Sequence, residues 1–411
     1  MIRHILENGL KIIFVPNNKN NKTISIGLFI KAGSRNETHE NNGVAHFLEH
    51  MMFKGTTNRR NITKDMDDLG MEYNASTSYE YTFYEMHGSA KDYRKILDIM
   101  IDLYMNPLLN EKDIETERGV IIQEINSRSN DNIFDLLFKK MYKDTPLEMS
   151  IAGPKENINK LTKKDIVNFR DKYYVPKNCV LCISGKFNQR KSLKLITSKI
   201  KKNSPAAFIE QKIIINQSIP YIYVKHNKKE QSKILISFRT FSMYDDRKYA
   251  ANLLPDILTN STTSRLFNIL RTKMGAIYTP ASYNDYFTDN GMYTIYISTN
   301  SNLTNDVIEA VLKELKKLKK KMIPLDEFNR IKKQREVNLL FKQEKSDNLM
   351  YHYGLEELFY GEKGLSIDEV VEKYNKITPK DIKDVVDYIF QEKNINIIVM
   401  GNSKIKNKID I

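Results

Sequence analysis

Tryptophan is absent from this chain and cysteine occurs only twice, while glycine and proline are scarce at 16 and 11 of 411 residues. Two cysteines cannot build a disulfide framework, so the chain must fold on an apolar core, and a reducing compartment such as the cytoplasm suits it. The pair, Cys179 and Cys182, has C-x-x-C spacing but lies inside the apolar run Cys179 to Ile183, which reads as a buried strand. Residues three apart on a strand point to opposite faces, so core packing is expected rather than a shared metal or a redox disulfide. Few glycines and prolines exclude a fibrous repeat or a low-complexity disordered chain. No apolar stretch approaches the roughly 18 to 20 residues that span a bilayer. The first fifteen residues pass directly into strand–turn–strand patterning, which leaves no room for a signal or transit peptide.

Acidic residues fall short of basic ones, 51 against 65, for a net charge of +14. Such an excess could attract nucleic acid, an acidic membrane or acidic peptides. The lysines are spread along the chain, with the densest run between Lys316 and Lys321, as on a solvated surface. No recognition motif accompanies them, so a nucleic-acid partner is not expected.

At 411 residues the chain has room for two or three domains. An internal repeat favours two. At a constant offset of 216, Leu161 to Lys186 and Ile377 to Asn402 share eight identities in 26 positions without a gap, among them Thr162/Thr378, Asp165/Asp381 and Gly185/Gly401. Each copy reads as a threonine-capped short helix, a loop and an apolar strand ended by glycine. Strand alternation is clear over Ile24 to Ile30, Tyr79 to Met86, Ile234 to Phe238 and Tyr293 to Ser298. Helical patterning covers Val44 to Phe53, Tyr93 to Tyr104, Glu111 to Arg128, Tyr249 to Leu258 and Leu303 to Lys321. The expected fold is α+β, two homologous domains, each a mostly antiparallel sheet packed with helices. The boundaries predicted are 1–203 for the first domain, 204–218 for a linker and 219–411 for the second.

The most informative residues are His46-Phe47-Leu48-Glu49-His50. On a helix, positions i and i+4 share a face, so both imidazoles can reach one ion while Glu49 borders that face. This inverts the H-E-x-x-H pattern and keeps its geometry. With seven histidines, a chance match has a probability on the order of one in a hundred; a polar helix face without metal is the competing reading. A hydrolytic zinc site needs a third protein ligand. Glu117 and Glu124, seven apart on a helical pattern, both qualify by spacing.

The sequence resembles the pitrilysin and insulinase superfamily of zinc peptidases, which includes the mitochondrial processing peptidases. The resemblance is carried by Leu6 to Leu10, Gly43 to Thr56, Asn74 to Ser78, Glu117 to Ile125, Ser264 to Phe267 and Arg271 to Tyr278. It implies one zinc per chain held by His46, His50 and Glu124, with Glu49 as general base and Glu117 as the supporting carboxylate. It implies that Asn74, Ala75, Ser76 and Thr77 lie on a strand that pairs with substrate, which favours extended, unfolded peptides. It also implies that Arg271 and Tyr278 stabilise an oxyanion from the second domain. Aligning the copies sets Leu254 to Ser261 against Phe47 to Gly55, with no histidine pair, so the second domain is not expected to bind zinc.

The partner subunits of processing peptidases carry a glycine-rich loop where this chain has Thr259 to Ser264 and no glycine, so the chain is not read as that noncatalytic subunit. The implied function is a zinc endopeptidase. The alternative is an inactive processing-peptidase-like assembly subunit. Relatives enclose substrate between two such two-domain halves, so a homodimer forming a closed chamber is the expected assembly, without a membrane partner.

Overall fold

The computed structural model describes residues 1–16, 22–127, 132–201 and 219–405; the expected linker at 204–218 lies outside them. Eleven strands are found among the described residues: β1 (Ile2–Ile5), β2 (Lys11–Pro16), β3 (Thr23–Ile30), β4 (Glu72–Thr77), β5 (Thr82–Ser89), β6 (Cys179–Gly185), β7 (Tyr221–His226), β8 (Gln231–Thr240), β9 (Ala281–Tyr286), β10 (Gly291–Asn300) and β11 (Ile395–Gly401). They form two sheets, ordered β1-β2-β6-β3-β5-β4 and β7-β11-β8-β10-β9. The second order repeats the first from β2 onward, strand for strand. Both sheets are antiparallel except for one pair each, β2 with β6 and β7 with β11, which occupy equivalent places. The architecture is mixed α+β, with two related sheets packed by helices.

Six helices matter to the argument: α1 (Val44–Met52), α2 (Glu111–Ser127), α3 (Ile133–Met141), α4 (Lys163–Tyr173), α5 (Ser346–Tyr360) and α6 (Pro379–Ile389). The duplicated segments fold alike. Thr162 caps α4 and Thr378 caps α6, each in a reciprocal box with an aspartate three residues on, Asp165 and Asp381. Two expected elements are displaced. The strand read from Tyr79 begins at Thr82, because Ser78 to Tyr81 form the hairpin turn, with the Ser78 N–H donating to the Tyr81 carbonyl at 2.8 Å. The helix read over Tyr249 to Leu258 is two short ones, Lys248–Ala251 and Leu254–Leu258, since Pro255 has no N–H to continue the ladder and starts a new turn instead.

The described parts of Met1–Asn130, Tyr142–Glu210 and Leu340–Ile367 form one compact unit, and those of Asp131–Met141, Gln211–Leu339 and Asp368–Ile411 form another. In the first unit, strand alternation gives the sheet two apolar faces. Ile24, Ile26, Leu28 and Ile30 of β3 face the large core that α1 and α4 close, with Cys179, Leu181 and Ile183 of β6 beside them. Cys182 is buried too, outside that cluster, as the strand geometry requires. The other face is covered by α5, from far along the chain. Its Tyr351 ring packs edge-on to Phe83 at 5.3 Å, and Gly354 lies so close to Phe29 that a Cβ there would meet the ring at 2.1 Å. In the second unit, α3 covers the sheet, with Phe134 against Tyr283 and Tyr296 at 6.0 and 5.7 Å. Each unit thus takes one helix from the opposite half of the sequence. A cut at 203/219 divides the repeat, while the compact units divide by this exchange.

Candidate metal centre

The helix α1 starts abruptly at Gly43, whose φ of +103° belongs to the left-handed region that glycine enters at little cost. A Cβ there would meet Ile158 Cδ1 at 2.6 Å and the Ala152 carbonyl at 2.9 Å. From this start the helix buries Val44, Ala45, Phe47, Leu48, Met51 and Met52 in the core, which leaves His46, Glu49 and His50 on the remaining stripe. The two imidazoles stack edge to face, ring centres 4.7 Å apart.

Opposite them runs α2. Glu124 Oε2 lies 3.7 Å from His46 Nε2 and 3.5 Å from His50 Nε2. One ligand atom from each of these three residues falls within 4.8 Å of the others. A tetrahedral zinc with bonds near 2.0–2.1 Å requires its donors about 3.3 Å apart. Two imidazole nitrogens and a carboxylate oxygen at these separations fit such an ion. Among the described residues this is the one group of three or more His, Cys, Asp or Glu brought so close.

Spacing left Glu117 and Glu124 interchangeable; the fold separates them. Glu117 sits two turns earlier on α2, 4% exposed, and its Oε2 meets the other nitrogen of His50, Nδ1, at 3.1 Å. Accepting from Nδ1–H fixes the tautomer that leaves Nε2 facing Glu124. The second oxygen of Glu117 pairs with the Lys54 ammonium. Burial works to raise the Glu117 pKa, but the hydrogen bonds from His50 and Lys54 outweigh it and hold the carboxyl below its ordinary value. Glu49 has the opposite balance. Burial pushes its pKa up, and the hydrogen bond from Thr77 only partly offsets this.

Thr77 belongs to β4, the edge strand of the first sheet, which has no strand partner on its outer side among the described residues. Exposure alternates along it, with Asn74 and Ser76 outward and Ala75 and Thr77 half-buried on the α1 side. The hydroxyl of Thr77 donates to Glu49 Oε2 at 2.5 Å, a contact with the expected general base that the sequence had not suggested. Lys54 was also missed. Its signal was the spacing 46, 50, 54, although α1 ends at Met52 and Lys54 stands just past it.

Arg271 and Tyr278 lie in the second unit. Arg271 is in a wide helical turn, Phe267–Lys273, and its Nη1 donates to the Ile277 carbonyl at 3.1 Å. Its guanidinium lies over the Tyr278 ring, 5.0 Å from the centre, and Tyr278 itself is 80% exposed. A stacked arginine and a phenol with its hydroxyl in water form a paired donor group.

Two family models match successive stretches of the chain. Residues 12–155 match the family model described as insulinase, peptidase family M16, and residues 160–335 match the model of the peptidase M16 inactive domain. A protein of Rickettsia felis named as an uncharacterized zinc protease is 33% identical over 410 residues, covering 97% of both chains. The beta subunit of the mitochondrial-processing peptidase of Saccharomyces cerevisiae is 30% identical, over 97% of this chain and 90% of its own. Among solved structures, a protease from Helicobacter pylori superposes with a TM-score of 0.89 at 22% identity, over 97% of this chain and 99% of that one. At that identity the likeness speaks for the fold.

Proposed function

Because the chain belongs to the insulinase family of peptidases, M16, we propose that it is a zinc-dependent endopeptidase for unfolded peptides, with one zinc held by His46, His50 and Glu124. The observation that carries this reading is the convergence of those three donors within 4.8 Å. When bound, zinc supplies a Lewis acid that brings the pKa of a coordinated water toward about 7 and polarises the scissile carbonyl.

The protein's own groups do the rest. Glu49, one helical turn from His46 and bonded to Thr77, takes a proton from the attacking water and returns it to the leaving amine. The burial that raises its pKa makes it a better base than a solvated carboxylate. Glu117 holds His50 at Nδ1. Arg271 and Tyr278 are assigned to the oxyanion, where the loss of one such donor typically costs about 10² to 10³ in rate. The open side of β4, at Asn74 to Thr77, accepts an extended peptide as an added strand; main-chain pairing takes segments of many sequences but requires them to be unfolded. A homodimer that closes a chamber completes the proposal.

Zinc stoichiometry and hydrolysis of an unstructured peptide, measured for wild type and Glu49→Gln, test the mechanism. The substituted protein is expected to keep its zinc and lose hydrolysis by at least about 10²-fold. Equal rates would sink the assignment of Glu49. Light scattering on the active protein tests the assembly, and a monomer at full activity would remove the dimer.

A further inference from the structure

The helix that carries both histidines has no cap on its own N-cap residue, which is Gly43. Its cap comes from Glu37, nine residues before His46. Glu37 Oε1 accepts the Ala45 N–H at 2.7 Å, and Oε2 accepts the Gly43 N–H at 2.9 Å and the Asn42 side-chain amide at 2.7 Å. The Asn42 Nδ2 also donates to the Ser150 carbonyl at 2.8 Å, which fixes that amide with its donor end toward Glu37. All three groups bonded to the carboxyl are therefore donors. Among the described residues no cation pairs with it, and Glu37 is 6% exposed.

The turn holding Glu37 is fastened at its other end to the hairpin after β4. The Ser34 N–H donates to the Ser78 carbonyl at 3.1 Å and the Arg35 N–H to that of Tyr79 at 2.8 Å. Gly33 approaches this hairpin so closely that a Cβ would meet the Ser78 carbonyl oxygen at 2.1 Å. The residue before Ser78 is Thr77, which holds Glu49. A closed circuit results: Glu49 to Thr77, hairpin to the Ser34 turn, Glu37 to the start of α1, and α1 back to Glu49.

We propose that Glu37 is a positioning residue of the metal centre, whose carboxylate seats the start of α1 against the β4 hairpin and so sets where His46, Glu49 and His50 stand. The proposal rests on reading His46, His50 and Glu124 as metal ligands. Burial pushes the Glu37 pKa up to about 8 against the pull of its three donors, from Ala45, Gly43 and Asn42. Its grip on those donors consequently strengthens as pH rises through that value. Glutamine at this site has one acceptor end and must turn an NH₂ toward donors, while aspartate keeps the charge but falls one methylene short.

The test measures zinc affinity by chelator competition and amide exchange at Gly43 and Ala45 in the full chain, for wild type, Glu37→Gln and Glu37→Asp. At pH 9, Glu37→Gln is expected to bind zinc about tenfold more weakly, as mispositioned ligand supports generally do, and to lose protection at both amides. Glu37→Asp, which serves if the glutamine variant does not fold, is expected to fall about threefold short of wild type. The ratio of wild-type to Glu37→Gln affinity should shrink toward unity at pH 6.5, which a purely steric defect would not produce. Wild-type affinity and protection in Glu37→Gln at pH 9, a ratio that ignores pH, or an unaltered Glu37→Asp would each overturn the proposal. If wild type itself binds no zinc, the metal reading fails, and the exchange at Gly43 and Ala45 still reports whether Glu37 caps the helix.

Discussion

Replacing Glu117 by alanine removes the acceptor from His50 Nδ1 and leaves the three metal donors in place. The bond that disappears is a charge-assisted hydrogen bond of 3.1 Å to a buried carboxylate. Bonds of that kind contribute about 1.5–3 kcal/mol, and each 1.4 kcal/mol is about a decade in an equilibrium constant, so the bare range is about 10- to 100-fold in zinc affinity. The His50 side chain is one-fifth exposed, so water can reach Nδ1 and recover part of that energy. The expected weakening is therefore in the lower half, about 10- to 30-fold.

Glu117→Gln keeps an oxygen for Nδ1–H but presents its NH₂ to Lys54, which is exposed enough to swing into solvent; about 3- to 10-fold is expected. Competition against a chromophoric chelator at pH 7.5, with circular dichroism to establish folding, gives the ordering. Alanine binding within twofold of wild type, or glutamine weaker than alanine, would refute the view that Glu117 acts on the metal through His50.

Three further outcomes rest on other parts of the structure. Lys54→Met leaves Glu117 bonded to His50 alone; because Lys54 is about one-third exposed, zinc affinity should fall only about 2- to 5-fold, and a larger drop would mean that Lys54 does more than pair with Glu117. Gly354→Ala should destabilise, reversing the roughly 1 kcal/mol gain that alanine normally brings inside a helix, because the new methyl would meet the Phe29 ring at 2.1 Å; a raised midpoint in thermal unfolding would contradict the packing of α5 on the first sheet. Cys179 and Cys182 are both buried, with the Cys182 thiol pKa pushed up by burial, so Ellman's reagent should modify neither before global unfolding. Rapid labelling of the native protein would exclude the core assignment.

Much of the first unit could be read from the sequence because its signals are local. A spacing of four places His46 and His50 on one face whatever else the chain does, and threonine caps marked the starts of α4 and α6, one in each copy. The alternation of β3 gave its two faces. What covers each face was not legible. An apolar helix stripe says that something must be buried against it, not which sheet receives it, and so the exchange of α3 and α5 had no sequence signature. The roles of Glu117 and Glu124 were undecided by spacing for a similar reason. Both project from one face of α2, and only the height of α1 beside it determines which carboxyl meets Nε2 and which meets Nδ1. Glu37 had no signal, since its partners Gly43 and Ala45 are backbone donors and carry no side-chain pattern.

The exchanged helices also constrain how the chain can be made. At the offset of 216 that relates the duplicated segments, α3 falls on Leu349–Glu357 within α5, so the two halves have traded equivalent pieces. In this structure the sheet of each half is covered by the helix of the other, so neither half of the sequence contains all the segments of one compact unit. During synthesis the consequence is an order of events: the sheet of the first unit, with its metal-site helix, is complete in strands by Gly185 yet waits for Tyr360 to leave the ribosome before its second face is closed.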